Sequence, residues 1–439
     1  MTDLPRKTFR RTARLAALPI GLAARSAVGG ARRLGGAPAE QVLTDVQMRT
    51  AEQVFKTLGE LKGGAMKVGQ ALSVLEGALP EEVMAPYRDT LTALQDSAPP
   101  MSATTVRQVI ARELGPSWRK QLVELDPEPA ASASIGQVHR GTWVDGRSVA
   151  VKVQYPGAQE ALESDLRQIS RLSKPFAVLL PGIDIKPLVE ELQERMAEET
   201  DYRLEAEAQA AFAAAFRDDE HYVVPDVVTH SERVLVTEWM DSTGSLARLA
   251  EEGTQEERDR YGEAYVRFLF GGPKRVQMLH ADPHPGNFRT RTDGRLGVVD
   301  YGAVARLGEG LPRAMGSLIR IAGYDDYDQV LQHLRDEGFV KPGIKVDPAL
   351  LREYLSPFVE PAISEEFTFT REWLRTQFVR INDPKEPAFN LMFKLNLPPS
   401  YLLIHRTWLG GIGVLSQLEA RVPFRSILSE SMPGFAEEE

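Results

Sequence analysis

Two short strings carry the side chains best suited to chemistry: His280-Ala281-Asp282-Pro283-His284-Pro285-Gly286-Asn287-Phe288, and Val298-Val299-Asp300-Tyr301-Gly302 just beyond it. An Asp placed five residues before an Asn on one loop sets a base or hydroxyl-orienting carboxylate (Asp282) beside a neutral metal ligand (Asn287). A second Asp closing a hairpin, Asp300, can bridge the same metals, with Tyr301-Gly302 permitting the tight turn after it. Phosphoryl transfer asks this of a protein, because it needs a positioned nucleophile and neutralised triphosphate charge rather than covalent help. Mg2+, or Mn2+ in its place, fits so oxygen-rich and sparse a set. Taken singly, Asp282 and Asn287 read as loop caps and Asp300 as a strand end; the joint spacing favours chemistry. His280 is as ready to brace the loop as to touch substrate.

Upstream, Val149-Ala150-Val151-Lys152 reads as a strand whose alternation sends Ala150 and Lys152 to one face. The small Ala150 leaves room for adenine, and the Lys152 ammonium can grip phosphates. Asp201 and Glu205, like charges at i,i+4 on the helix that follows, repel by a few tenths of a kcal/mol unless a cation compensates. A solvated acidic face is the plain reading; the sharper one pairs Glu205 with Lys152 across a cleft. Ala131-Ser132-Ala133-Ser134-Ile135-Gly136 supplies small residues that let backbone amides approach phosphate, on a loop stiffer than a three-glycine one. Glu238-Trp239-Met240, after an apolar strand, is placed to hold adenine by backbone hydrogen bonds. ATP is therefore the expected cofactor.

The elements that must position these groups follow from breaks and periodicity. Residues 40–120 read as helical, punctuated at Gly63-Gly64, Leu79-Pro80 and Pro99-Pro100. Strands are expected at Leu122–Leu125, Gln137–Val144 and Val149–Tyr155, with Asp145-Gly146 as a two-residue type I′ hairpin turn. A helix over Leu188–Phe216 comes next, then strands Val223–Val228 and Arg233–Trp239 and a helix over 246–270. Asp293-Gly294 joins Asn287–Arg291 to Arg295–Val299 in a second hairpin, and the chain is mostly helical after 304. This order predicts an α+β, protein-kinase-like two-lobed fold: a basic arm over 1–38, a helical extension over 39–120, an antiparallel N-lobe over 121–240, and a helical C-lobe with an acidic tail over 241–439.

Composition bounds the function. Of 439 residues, 52 are basic and 62 acidic, a net charge of −10, which argues against nucleic acid as a partner. The absence of cysteine excludes disulfides, thiolate zinc sites and cysteine nucleophiles, and agrees with a reducing cytoplasm. Residues 1–36 carry Arg6, Lys7, Arg10, Arg11, Arg14, Arg25, Arg32 and Arg33 against Asp3 alone. Between them Leu15–Ala24 is apolar but too short to span a bilayer and is broken by Pro19 and Gly21. Arginines flanking an apolar patch suit peripheral contact with an anionic membrane. The apolar 399–418 region is interrupted by His405 and Arg406.

Over roughly residues 40–420 the chain resembles the UbiB (AarF-like) group of atypical kinases. The markers are the alanine-rich loop at 131–136, Lys67-Val68-Gly69-Gln70, Glu199-Thr200-Asp201 and Leu94-Gln95-Asp96-Ser97-Ala98-Pro99-Pro100. The resemblance implies that the helix of Lys67, Gly69 and Gln70 packs over the active site. Lys67 would engage Glu199 or Asp201 and obstruct a peptide groove, as both a catalytic and a regulatory residue. It also implies nucleotide binding and ATPase-like activity coupled to isoprenoid-quinone or other lipid metabolism and the proteins of that pathway. In this sequence Ser132 stands where an alanine is common, and the two C-terminal membrane helices of some members have no counterpart. A small-molecule phosphotransferase of the aminoglycoside or choline kinase type shares the His-x-Asp-x-His-Pro-Gly-Asn string, but Lys67–Gln70 and the alanine-rich loop speak against it. A non-catalytic ATP-responsive scaffold is the third reading, and the intact Asp282, Asn287, Asp300 and Lys152 speak for retained nucleotide chemistry.

Overall fold

Strict alternation builds the first lobe. In β4 (Ser148–Gln154) Val149, Val151 and Val153 are wholly buried while Ala150 and Lys152 face the other way. Each such valine contributes roughly 2 kcal/mol by leaving water. The computed structural model describes residues 101–133, 135–160, 162–163, 183–382 and 386–436; the 1–38 arm, the Lys67–Gln70 and Leu94–Pro100 segments and Ser134 lie outside the described residues. The valine face packs against α1 (Ala103–Glu113) through Val106 and Ile110, with Trp118 and Trp143 closing the cluster.

Around β4 the sheet is antiparallel. Its order is β1 (Leu122–Leu125), β3 (Gly136–Trp143), β4, β7 (Val234–Glu238), β6 (Val227–His230), with β2 (Ala131–Ala133) paired to β3. The β3–β4 turn differs from the expected type I′. Trp143 N–H donates to Arg147 O at 2.9 Å and Gly146 N–H to Trp143 O at 2.9 Å, and Gly146 (φ 89°) is left-handed whereas Asp145 is not. A type I′ turn needs both; the observed turn is a type I turn followed by a glycine bulge.

The long helix expected over Leu188–Phe216 is broken into α2 (Ile185–Glu199) and α3 (Tyr202–Ala215). Asp201 is the cause: it adopts extended backbone and accepts from Arg203 N–H as the N-cap of α3. Two bonds fasten this break to the sheet, Gln154 Nε2 to Thr200 O at 2.9 Å and Tyr202 N–H to Glu232 O at 3.0 Å. The single strand expected over Val223–Val228 is likewise split, since Pro225 has no N–H to give a ladder. Its first part, β5 (Tyr222–Val223), joins a second sheet.

That second sheet belongs to the helical lobe and runs β5, β11 (Leu296–Val298), β10 (Phe288–Thr290), β8 (Gly244–Ser245). After β8 come α4 (Leu246–Glu252) and α5 (Gln255–Val276), the latter opened by a Thr254–Glu257 capping box. β9 (Met278–His280) pairs with β12 (Val304–Arg306), so the two chemistry-bearing strings start and end side by side. Helices α6 (Arg313–Gly323), α7 (Tyr327–Asp336), α8 (Pro348–Ile363), α9 (Arg371–Asn382), α10 (Leu402–Leu418) and α11 (Phe424–Ser431) complete the lobe, with a small β13 (Phe367–Thr368) and β14 (Arg421–Val422) ladder. Among the described residues no helix is long and apolar enough to cross a membrane.

Within α10, burial holds the His405 imidazole down at about 4. A histidine depressed when folded stabilises the fold while both states are neutral, and this is lost as pH falls from about 6.5 toward 4, where only the unfolded chain takes the proton. Urea unfolding should show a loss of about 2 to 3 kcal/mol over that window. His405→Phe should flatten this acid limb; an unchanged limb would assign it to other groups.

Candidate active site

Lys152 stands at the centre of the site. Its Nζ donates to both carboxylate oxygens of Glu205, at 2.7 and 2.9 Å, and to Asp300 Oδ1 at 3.1 Å. β4 presents it and α3 brings Glu205, which is almost fully buried. Burial by itself pushes the ammonium's pKa down, but the charges of Asp300 and Glu205 outweigh it and hold the value above the ordinary lysine range. Asp300 is the mirror case: burial pushes its carboxyl up, yet Lys152 brings it below the usual value. The Tyr202 ring lies 5.2 Å from Nζ, so one helix supplies the ammonium with a carboxylate and an aromatic face.

Asp300 itself adopts left-handed backbone, φ 64°. Aspartate tolerates this better than most residues, and the tight conformation sits here rather than on Tyr301-Gly302. Tyr301 is instead a core anchor, fully buried with its ring 4.9 Å from Phe212 and 5.0 Å from His280. Gly302 leaves room for charge, since a Cβ there would lie 3.3 Å from both Asp300 Oδ1 and Glu205 Oε2.

The loop with Asp282 is clamped from several sides. Asn287 Nδ2 donates to Asp282 Oδ2 at 2.8 Å, which turns the amide oxygen to the other side as the atom able to ligate metal. Val299 N–H donates to Asn287 O at 2.9 Å, placing Asn287 one residue from Asp300 in the ladder. Tyr265 Oη donates to Pro283 O at 2.8 Å. His280 is buried and donates from Nε2 to Val299 O at 3.3 Å; burial lowers its pKa. It braces the loop.

Sequence reasoning missed Arg406. From α10 its guanidinium donates to Asp282 Oδ1 at 3.0 Å, and Gly410 on the same helix makes room for the loop, since a Cβ there would meet Pro283 Cγ at 2.3 Å. The available signal was a charge inside an apolar run, which burial tolerates only with a partner.

The other expected site residues fall as follows. Ala131, Ser132 and Ala133 form β2 rather than an open loop, with Ala131 and Ser132 exposed and Ala133 buried. Gly136 makes a close strand contact: a Cβ would sit 2.2 Å from Val153 O and 2.9 Å from Tyr202 Oη. Ala150 shares Lys152's face. The Glu238 carboxylate pairs with Arg147 at 2.9 Å and its N–H donates to Asp226 O, while Trp239 N–H donates to Ser148 O. Met240, the other residue expected at the hinge, takes part in neither bond. Glu199 ends α2, and Asp201 is drawn to Arg203 at 2.7 Å rather than sharing Glu205's face. Their partner candidates Lys67, Gly69 and Gln70, like Ser134, lie outside the described residues.

Such a site can hold a triphosphate by charge. Among the described residues no cluster of three or more His, Asp or Glu side chains could bind a metal by itself. Asp300 and the Asn287 oxygen are the candidate metal ligands that the two strings supply.

Comparison with known proteins agrees with this architecture. The ABC1 atypical kinase-like domain matches residues 93–334. The atypical kinase COQ8B, mitochondrial, of Rattus norvegicus is 30% identical over 66% of this chain and 54% of its own length. The zebrafish (Danio rerio) protein of the same name is 27% identical over 97% of this chain and 68% of its length. The chain thus spans about half to two thirds of these relatives. A solved structure, the complex of Rv3197 with erythromycin from Mycobacterium tuberculosis, is 41% identical with a TM-score of 0.68, covering 91% of this chain and 100% of that one. A kinase-like match over more than half the sequence, on a two-lobed fold that gathers Lys152, Glu205 and Asp300, makes this chain a member of the ABC1, or UbiB, family of atypical kinases.

Proposed function

We propose that this chain is a UbiB-type atypical kinase or ATPase that binds Mg-ATP and supports isoprenoid-quinone or other lipid metabolism at a membrane surface. In this reading Lys152 grips the phosphates, Asp300 and Asn287 hold Mg2+ (or Mn2+), and Asp282 orients the acceptor hydroxyl or water. The carrying observation is the single ammonium 2.7 Å from Glu205 and 3.1 Å from Asp300, a preorganised charge set of the kind that phosphoryl transfer uses. The lipid or quinone role, with pathway proteins as partners and the basic arm over 1–36 as the contact with anionic membrane, is supported by the family membership and by the arm's composition.

Turnover tests the reading. Asp282→Asn should lower Mg-ATP turnover about a hundredfold or more while Mg-ATP still binds, and anionic vesicles should raise wild-type turnover. Unchanged turnover in the variant would remove Asp282 from the chemistry.

A small-molecule reading has one observation in its favour: a 41% identical structure is described as an erythromycin complex. In that reading a bulky apolar ligand, rather than a protein, is what the nucleotide site serves. Erythromycin titration with and without Mg-ATP separates the two, since only this reading expects the titrations to be coupled.

A further inference from the structure

Arg289 is the middle residue of β10 in the second sheet, two residues past Asn287, which ends the short 3-10 turn Pro285–Asn287 that leads into the strand. Its neighbours Phe288 and Thr290 point the other way and are buried. Across the sheet Arg289 is paired with Gly297 on one side and Ser245 on the other. The space over Gly297 is filled by the hinge residue Met240, whose Sδ would lie 2.7 Å from a Cβ there. The strand thus starts beside the metal-ligand candidate Asn287, and its Arg289 side is the one that Met240 covers at the paired Gly297.

The Arg289 guanidinium is half-buried. Among the described residues it has no carboxylate partner and reaches only the Ser242 hydroxyl oxygen, from Nε at 3.2 Å and Nη2 at 3.1 Å. The other arginines of the hairpin are treated differently: Arg291 and Arg295 share Asp293, and Arg291 also donates to Asp241 O at 3.1 Å. Holding a cation partly out of water against a neutral oxygen is costly unless something else compensates. A guanidinium has five N–H donors and a flat face suited to an aromatic ring, and the serine occupies only two of the donors. Phosphate charge already has its cation in Lys152; near the hinge Arg291 also reaches Met240 Sδ, at 3.4 Å, but its charge is matched by Asp293, whereas that of Arg289 meets, among the described residues, only the serine oxygen.

We propose that Arg289 is a specificity-determining residue that contacts the nucleoside moiety of the bound nucleotide, its plane against the base and its spare donors toward base and ribose acceptors. This rests on the nucleotide reading above. The test is calorimetric titration of the full chain with Mg-ATP and, separately, with Mg-tripolyphosphate, which has the phosphates but no nucleoside.

Arg289→Met should weaken Mg-ATP binding about tenfold, the worth of one charged contact, and leave tripolyphosphate within about twofold. Arg289→Lys keeps a cation but loses the flat fork, and should show the same selective loss; it also serves if the methionine variant folds poorly. A parallel loss for both ligands, or no loss for either, would overturn the proposal while leaving the phosphate site standing. Wild-type protein that binds neither ligand would overturn the nucleotide reading and this inference with it.

Discussion

Lys152→Met is expected to destabilise the fold by about 3 to 5 kcal/mol, the usual consequence of breaking a buried ion pair by removing one partner. Glu205 is only 4% exposed at its side chain, and without the ammonium its carboxylate loses the 2.7 Å ion pair with Lys152, which Asp300 shares. The sign of the pH dependence follows from both partners. Asp300 has its carboxyl lowered in the fold, so its contribution is present above the ordinary carboxylate range and lost as pH falls. Lys152 has its pKa raised, so its contribution is present below the ordinary lysine range and lost only as pH rises through the folded value. The penalty should therefore be full at neutral pH. Adding Glu205→Gln should recover part of it, because the buried carboxylate charge is then gone. Urea unfolding of the two variants measures this, and a single variant within about 0.5 kcal/mol of wild type would mean that the three groups do not form one ion cluster.

The second large effect is expected at Gly136. A methyl group there would lie 2.2 Å from Val153 O, so β3 and β4 must separate where Gly136 pairs with Gln154. Gly136→Ala should lose about 2 to 4 kcal/mol through overpacking against backbone. Ser132→Ala, at an exposed position of β2, should stay within about 0.5 kcal/mol. Thermal unfolding of both distinguishes two roles for the alanine-rich segment. If Gly136→Ala kept its stability and lost only nucleotide affinity, Gly136 would belong to a phosphate cradle instead of a strand contact.

Residues close in sequence, or repeating with a strand's period, were the legible part of this protein. The alternation through Val149–Val153 placed Lys152 on the face opposite the core, and the spacing of Asp282, Asn287 and Asp300 marked one loop and one hairpin end. What escaped was set by contacts the local pattern does not encode. Asp201 ended one helix and capped the next because its side chain competes for backbone N–H groups. Pro225 divided an apolar run between two sheets. The β3–β4 turn took the bulged form because left-handed backbone falls on Gly146 and not on Asp145. Arg406 reaches Asp282 across 124 residues of sequence, and only its charge within an apolar helix hinted that a partner was needed.

The central claim is that Asp300 and Asn287 hold metal while Lys152 holds phosphate. It is tested most directly by the thermal midpoint with and without Mg-ATP, each protein compared with its own ligand-free state. A ligand at about a hundred times its dissociation constant adds about 2.7 kcal/mol to the stability of the wild type, and its midpoint should rise. Asp300→Asn should show no rise; an equal rise in the variant would contradict the assignment of the metal to Asp300.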